Sequence, residues 1–186
     1  ASPTVRPRRK NVVLDYSFME ITSVEDLPKF QPEVEGKPVT LVALPPPPED
    51  SKTDEPLNLD DLAPPTRQAE AIRLANNSLT SMENLFDVMG RLVVNPEDSV
   101  QWLELSCNQI SNAADEALKF PRLRTINLHD NNISAFSEVK KLAALTELRA
   151  LSLHGNPIEE RKHYRMFVIH TLPGLHKLDF STITKK

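Results

Sequence analysis

Apolar and polar residues follow one frame that recurs through most of the chain. The sequences LRTINLHDNNI at 123–133 and LRALSLHGNPI at 148–158 share the frame L-x-x-a-x-L-x-x-N-x-I, in which a is an apolar residue and x is any residue. The frame also fits VQWLELSCNQI at 100–110 and AEAIRLANNSL at 69–79, and a copy without asparagine occurs in LHKLDFSTI at 175–183. Such repetition indicates a solenoid, in which each repeat packs on its neighbours.

The frame resembles the leucine-rich repeat, L-x-x-L-x-L-x-x-N-x-L. Successive side chains on a strand point to opposite faces, so the apolar residues of each frame should enter a core while their neighbours face solvent. We therefore predict an α/β leucine-rich repeat solenoid at 66–186, with a short parallel sheet on the concave face and helices on the convex face. The strands are predicted at 71–75, 102–106, 125–129, 150–154 and 177–181.

One asparagine closes the frame in each full copy. A buried amide both donates and accepts hydrogen bonds, so it can satisfy backbone groups where the chain turns away from the sheet. These asparagines are predicted to form a structural ladder without a catalytic role: Asn77, Asn108, Asn131 and Asn156.

The residues between the asparagines leave room for one return helix per repeat. The intervals are 31, 23 and 25 residues long. Ser81 and Ser137 are predicted to cap helices in two of them. Met82 and Met89 belong to a helical stripe in the longest interval, and such a stripe is more typical of a core than of a partner groove.

Residues 156–183 are predicted to cap the end of the solenoid. Pro157 should start a helix that Pro173 ends. The stretch NPIEERKHYRMFVIHTLPGLHKLDF at 156–180 resembles the carboxy-terminal cap of short intracellular leucine-rich repeat proteins, a group that includes a protein-phosphatase regulator and the U2 small nuclear ribonucleoprotein A′ protein. A cap is needed because no further repeat covers the last one.

Residues 1–65 differ from the repeats in composition. They hold 12 of the 16 prolines and carry 7 basic and 12 acidic side chains. Proline-rich, acidic, aromatic-poor sequence predicts an extended segment at 1–65, in which PPPP at 45–48 is a spacer rather than an SH3 ligand. The apolar residues of 12–27 predict instead a cover on the first repeat, or a segment that adds to a partner.

Four basic side chains lie near the start of the chain: Arg6, Arg8, Arg9 and Lys10. They fit either a solvated terminus or electrostatic capture of an acidic partner such as tubulin. The two interpretations stay open at this point.

Three features together resemble a family of small leucine-rich repeat proteins of cilia and flagella. They are LDYSF at 14–18, the 31-residue first interval and LHGNPIEERKHYRMFV at 153–168. The resemblance implies a protein of the cytoplasm and cytoskeleton, located in the ciliary or flagellar axoneme. It also implies other axonemal proteins as partners and an association with doublet microtubules, with tubulin as a candidate contact. The alternatives are a soluble adaptor that binds a phosphatase or another enzyme, and, third, a role in RNA processing through a protein partner.

Composition excludes several other classes of function. The chain has a net charge of −4 and no basic footprint for nucleic acid. It has no apolar run of about 18 residues for a membrane span. Four glycines form no phosphate-binding loop, and no catalytic motif occurs, so we expect no enzyme activity, no cofactor and no small-molecule substrate. The single cysteine, Cys107, rules out an internal disulfide and favours a reducing compartment.

The concave face is the predicted protein-binding surface, because stacked repeats usually bind there. Trp102 is its candidate anchor, unless residues near the amino terminus partly cover it. His129 and His154 should lie on adjacent strands, about 4.8 Å apart. We expect no metal there, because no Cys, Asp or Glu joins them in that column. The predicted solvent-facing binding residues are Arg73, Trp102, Glu104, Asn127, His129, Ser152, His154 and Lys177.

Overall fold

A computed structural model describes residues 12–39, 41, 65 and 67–184. Its strands are β1 (Val13–Asp15), β2 (Glu33–Val34), β3 (Lys37–Pro38), β4 (Ala71–Arg73), β5 (Trp102–Glu104), β6 (Thr125–Asn127), β7 (Ala150–Ser152), β8 (Lys177–Leu178) and β9 (Ser181–Thr182). Within the described residues they form one sheet, in the order β3-β2-β1-β4-β5-β6-β7-β8-β9.

The centre of the sheet is parallel, as the repeat frame predicts. The strands β1, β4, β5, β6, β7 and β8 pair in parallel, and equivalent frame positions face each other in register. The predicted α/β solenoid is therefore confirmed. The strand predicted at 177–181 is instead two antiparallel strands, β8 and β9, because the backbone turns at Asp179 and Phe180. The other four strands are shorter than predicted because the backbone turns before the ladder asparagine. The residue before it is left-handed in each full repeat, at Asn76, Cys107, Asp130 and Gly155.

The return segments are helical, but neither predicted serine caps its helix: the first helix begins later than predicted and the fourth begins earlier. Asn84, not Ser81, precedes the first helix, and the Ser81 hydroxyl accepts a hydrogen bond from the Glu83 N–H in the turn before it. Ala135, not Ser137, is the residue before the fourth helix. The α-helices are α1 (Leu85–Leu92), α2 (Pro96–Ser99), α3 (Ala114–Ala117), α4 (Phe136–Leu142) and α5 (Tyr164–Thr171).

The predicted cap helix is divided into two parts. Pro157–Glu160 is a 3-10 helix, and α5 follows only at Tyr164, after His163 in a left-handed conformation. The helix therefore does not run from Pro157 without a break. No helix among residues 12–39 and 67–184 is both long and apolar enough to cross a membrane.

The apolar frame positions and the helices share one continuous core. Met82 and Met89 are fully buried in it, so the methionine stripe is core as predicted. Each fully buried Leu or Ile side chain contributes about 1.5–3 kcal/mol to folding. Because every repeat contributes side chains to this core, the repeats stay packed together and the concave sheet keeps its shape.

Residues 12–21 form a degenerate repeat, whereas the sequence predicted only a cover on the first repeat or a segment that adds to a partner. Leu14 pairs with Ile72 in the parallel register, and the Ser78 N–H donates to the Ile21 carbonyl. The same step occurs in the next repeat, where the Gln109 N–H donates to the Leu79 carbonyl. Met19 occupies the ladder position, so this copy has lost its asparagine.

The structure differs from the predicted extended segment at residues 28–39. Pro28 lies inside a 3-10 helix at Val24–Lys29, and β2 and β3 form an antiparallel hairpin beside β1. The prediction that the extended segment includes these residues is wrong, because backbone pairing orders them without a large apolar content. The proline run at 45–48 and the basic residues near the start lie outside the described residues.

Candidate functional site: the concave face

The asparagine ladder links each repeat to the one before it. In Asn108, the side-chain nitrogen donates to the carbonyls of Leu105 at 3.1 Å and Leu74 at 2.9 Å. Its side-chain oxygen accepts from the Leu79 N–H at 3.0 Å. Asn131 and Asn156 repeat this pattern with their own neighbours. Buried amides thus satisfy the backbone groups of the turns and fix the repeat spacing.

Asn77 extends the ladder to the degenerate repeat. Its side-chain oxygen accepts from the N–H groups of Met19 at 3.1 Å and Ile21 at 3.0 Å. Its nitrogen donates to the Tyr16 carbonyl at 2.9 Å. Residues 12–21 are therefore held as part of the solenoid.

At the opposite end, Asp179 satisfies the last turn. One carboxylate oxygen accepts from the N–H groups of Leu153 at 2.7 Å and His154 at 3.0 Å. The other accepts from the Tyr164 hydroxyl at 3.0 Å. Burial, together with the adjacent Asp179 carboxylate, raises the pKa of Tyr164 above its usual range.

Two predicted binding residues are not available on the concave surface. Asn127 is 9% exposed and Ser152 is 1% exposed, so the prediction that both face solvent is wrong. The Asn127 nitrogen donates to Glu104, and the Ser152 hydroxyl donates to the Asn127 oxygen at 3.4 Å. The side chains are short enough to bond along the sheet surface, where neighbouring residues cover them.

The amino-terminal end of the concave face holds a depression of about 640 Å³. The Arg73 guanidinium lies 5.1 Å from the centre of the Trp102 ring and 3.3 Å from an Asp15 carboxylate oxygen. Burial alone would raise the pKa of Asp15, but hydrogen bonds from Ser17 and the Arg73 ion pair outweigh it and lower the pKa. The depression is lined by Asp15, Ser17, Phe18, Met19, Glu33, Arg73, Ala75, Trp102 and Glu104.

Two aromatic side chains make the depression suitable for a protein partner. Phe18 is 76% exposed at its edge. The Trp102 Nε1 is buried and has no hydrogen-bond partner among the described residues. Because this nitrogen is buried, a partner would contact the rings of Phe18 and Trp102 and not the Trp102 N–H. Aromatic side chains of this kind are enriched among binding anchors.

The carboxy-terminal end of the concave face is built from two stacked histidines. The rings of His129 and His154 lie 4.7 Å apart with 7° between their planes. Phe180, 64% exposed, packs edge-on against both rings at 5.3 and 5.4 Å. Lys177 is exposed on the neighbouring strand. Adjacent strands thus place the histidines together as predicted, and Phe180 adds an apolar contact that the strand alternation did not predict.

A cysteine and an aspartate lie beside His129, next to the column of strand positions in which none was expected. Cys107, His129 and Asp130 bring potential ligand atoms within 4.8 Å of one another. The strand alternation does not predict this cluster, because Cys107 and Asp130 lie in the turns, beyond the alternating strand positions. Burial, followed by the nearby Asp130 charge, raises the pKa of the Cys107 thiol.

Comparison with known proteins identifies the class. The profile of the Leucine-rich repeat family matches residues 54–186. The chain therefore belongs to the leucine-rich repeat family. It is 34% identical over 172 residues to leucine-rich repeat-containing protein 51 of Rattus norvegicus and 35% identical to that of Bos taurus. Each alignment covers 92% of this chain and 79% of the relative.

A solved structure supports the same fold. The crystal structure of the Drosophila melanogaster SNF/U2A′ complex contains a chain that matches with a TM-score of 0.51 and 30% identity, over 63% of each chain. Leucine-rich repeat proteins are typically non-catalytic interaction scaffolds, and these matches indicate no enzyme family.

Proposed function

We propose that this chain is a non-catalytic structural and protein-interaction component of the ciliary or flagellar axoneme, associated with doublet microtubules. Its similarity to leucine-rich repeat-containing protein 51 across 92% of the chain supports the protein-interaction role. The location is the finer part of the proposal. The resemblance of the sequence motifs to ciliary and flagellar repeat proteins supports the location. The main structural support for the interaction role is the depression lined by Phe18 and Trp102.

The lining of the depression indicates the kind of partner segment that binds there. Arg73 is already engaged by Asp15 and Trp102, whereas Glu33 and Glu104 add negative charge nearby. A segment with an apolar side chain beside a basic one complements this surface. An acidic tubulin tail does not fit it. Tubulin would instead meet the basic residues Arg6 to Lys10.

Extraction of isolated cilia tests the location. The tagged protein should remain with the microtubules after detergent and moderate salt. Phe18→Ala should reduce this retention, because the Phe18 ring is exposed and serves binding rather than the core. Met166→Ala is the matched control, since Met166 is 70% exposed on α5, away from the depression. A protein found wholly in the soluble fraction would exclude the axonemal role.

The solved SNF/U2A′ complex supports a second candidate function, a soluble adaptor that binds a protein partner through its repeats. The same experiment separates the two, because an adaptor leaves the cilium on detergent treatment. In that case, the tagged protein is cross-linked to its partner in the soluble fraction and captured by its tag. The yield of cross-linked partner should fall with Phe18→Ala and not with Met166→Ala.

A further inference from the structure

We propose that Cys107, His129 and Asp130 form a zinc-binding site at the edge of the concave face. The thiol sulfur, a ring nitrogen and a carboxylate oxygen lie within 4.8 Å of one another. Zinc binds sulfur at about 2.3 Å and nitrogen or oxygen at about 2.0–2.2 Å, so small side-chain rotations bring all three onto one ion. This site does not depend on the proposed axonemal function.

The repeat backbone brings the ligands together without a metal. Cys107 and Asp130 occupy the same position in consecutive repeats, each with φ 54° and each just before a ladder asparagine. The Cys107 N–H donates to the His129 carbonyl at 3.0 Å, and the Asn108 N–H donates to the Asp130 carbonyl at 3.2 Å. The two turns are thus fixed about one strand spacing apart, roughly 4.8 Å.

A chain of partly buried hydrogen bonds selects the tautomer of His129. Glu104 accepts from the Asn127 nitrogen, which directs the Asn127 oxygen to the Ser152 hydroxyl. Because the Ser152 hydroxyl already donates its proton to Asn127, the hydroxyl oxygen accepts a hydrogen bond from the Nδ1–H of His129 at 3.1 Å. In the neutral ring this leaves the lone pair on Nε2 for a metal. Metal-binding histidines are commonly oriented in this way through their other nitrogen.

Glycine at position 155 provides the space for Asp130. This is the corresponding turn position of the next repeat, and a Cβ there would overlap the Asp130 Oδ1. The other carboxylate oxygen lies 3.9 Å from the Cys107 sulfur. The absence of a side chain at Gly155 therefore allows the Asp130 carboxylate to lie between Gly155 and the Cys107 thiol.

The ligand set favours zinc over magnesium or calcium. Sulfur and imidazole nitrogen are poor ligands for those hard cations, whereas zinc accepts sulfur, nitrogen and oxygen together. Three protein ligands leave a fourth position for water. Cys107 and His129 are half-buried and Asp130 is exposed, so solvent reaches the site. Binding displaces the thiol proton to solvent, and the cation offsets the repulsion between thiolate and carboxylate.

Cobalt provides a specific test, because the chain contains a single cysteine. The full 186-residue chain, treated with a chelator and reductant, is titrated with Co²⁺. A thiolate-to-cobalt charge-transfer band should appear, saturate at one ion per chain and disappear when Zn²⁺ is added. Absence of this band at saturating Co²⁺ would overturn the proposal.

Variants identify the ligands. Cys107→Ser should abolish the band, and Asp130→Asn should weaken Zn²⁺ binding by more than about tenfold in a chelator competition. His176→Gln is the control, since His176 is exposed and lies outside the cluster; its Zn²⁺ affinity should equal that of the wild type. Equal affinity in the wild type and both ligand variants would refute the site.

Alkylation of the wild-type protein gives a result that does not depend on a variant folding. Zn²⁺ should slow the reaction of Cys107 with iodoacetamide at least about tenfold, whereas Mg²⁺ should not. An unchanged rate with Zn²⁺ would contradict the proposal. In the wild type, Zn²⁺ should also raise the midpoint of thermal unfolding, and in Cys107→Ser it should not.

Discussion

The side-chain oxygen of Asn77 accepts a hydrogen bond from the backbone N–H of Ile21 at 3.0 Å, although 56 positions separate the two residues. The bond repeats the one that Asn108 makes to Leu79 in the next repeat. It shows that the amino-terminal segment is held by the same device as the repeats themselves. A single amide therefore connects residues that no local pattern relates.

Replacing Asn77 with alanine should release the segment at 12–39 before the rest of the domain unfolds. The N–H groups of Met19 and Ile21 would lose their acceptor, at a cost of about 1–3 kcal/mol. Hydrogen exchange should increase at these two amides and in β1. Asn112→Ala is the control, because Asn112 is exposed and bonds only its neighbour Ser111 in the described contacts. Equal exchange in the two variants would contradict this role of Asn77.

Leu128→Ala should destabilise the domain by about 2–5 kcal/mol, because Leu128 is 1% exposed at a core position of the central repeat. Denaturant unfolding measures the change. Met166→Ala, at an exposed apolar residue, should change the free energy of unfolding by less than about 0.5 kcal/mol. A cost near zero for Leu128→Ala would mean that the assigned repeat register is wrong.

The two tyrosines should respond oppositely to loss of the hydroxyl group. Tyr164→Phe removes the hydrogen bond to Asp179 and should cost about 1–2 kcal/mol. Tyr16→Phe should be neutral or stabilising, because the Tyr16 hydroxyl is buried without a partner among the described residues. Chemical denaturation of both variants provides the comparison, and a larger loss for Tyr16→Phe would refute it.

Both tyrosines should also make the protein sensitive to alkali. Burial raises the pKa of each above its ordinary value of 10.0, and Asp179 adds to the effect at Tyr164. Above pH 10 the unfolded chain loses these protons while the folded chain keeps them, so stability falls as pH rises. Tyrosinate absorbance should therefore appear only together with unfolding. Ionisation of both residues in the folded protein, with circular dichroism unchanged, would contradict this prediction.

Glu138 supports the helix of the preceding repeat. It is 5% exposed, and one carboxylate oxygen accepts from the N–H groups of Ala113 and Ala114, each at 3.0 Å, at the start of α3. Glu138→Ala should cost about 1–3 kcal/mol, since it leaves these buried donors unpaired. Glu160→Ala is the exposed control and should be near neutral. The free energy of unfolding, measured for both variants, should separate them.

The repeat frame and the ladder could be predicted because they depend on local spacing. Leucines at alternate positions define the buried face of a strand, and an asparagine three residues beyond the last of them has a fixed place in the turn. The family and the parallel sheet follow from that repetition. The degenerate copy at 12–21 kept Leu14 and Ile21 but replaced the asparagine with Met19, so its pattern alone was too weak to identify.

The sequence by itself determined the repeat register, the core leucines and the pairing of His129 with His154, because each follows from a strand period and one inter-strand step. Only the tertiary structure decided which polar side chains reach solvent. Asn127 and Ser152 occupy outward positions in the alternation, yet they bond along the sheet and are covered. Cys107 and Asp130 meet because left-handed turns in separate repeats stack on one another. Such contacts depend on the relative placement of distant turns, which no local period contains.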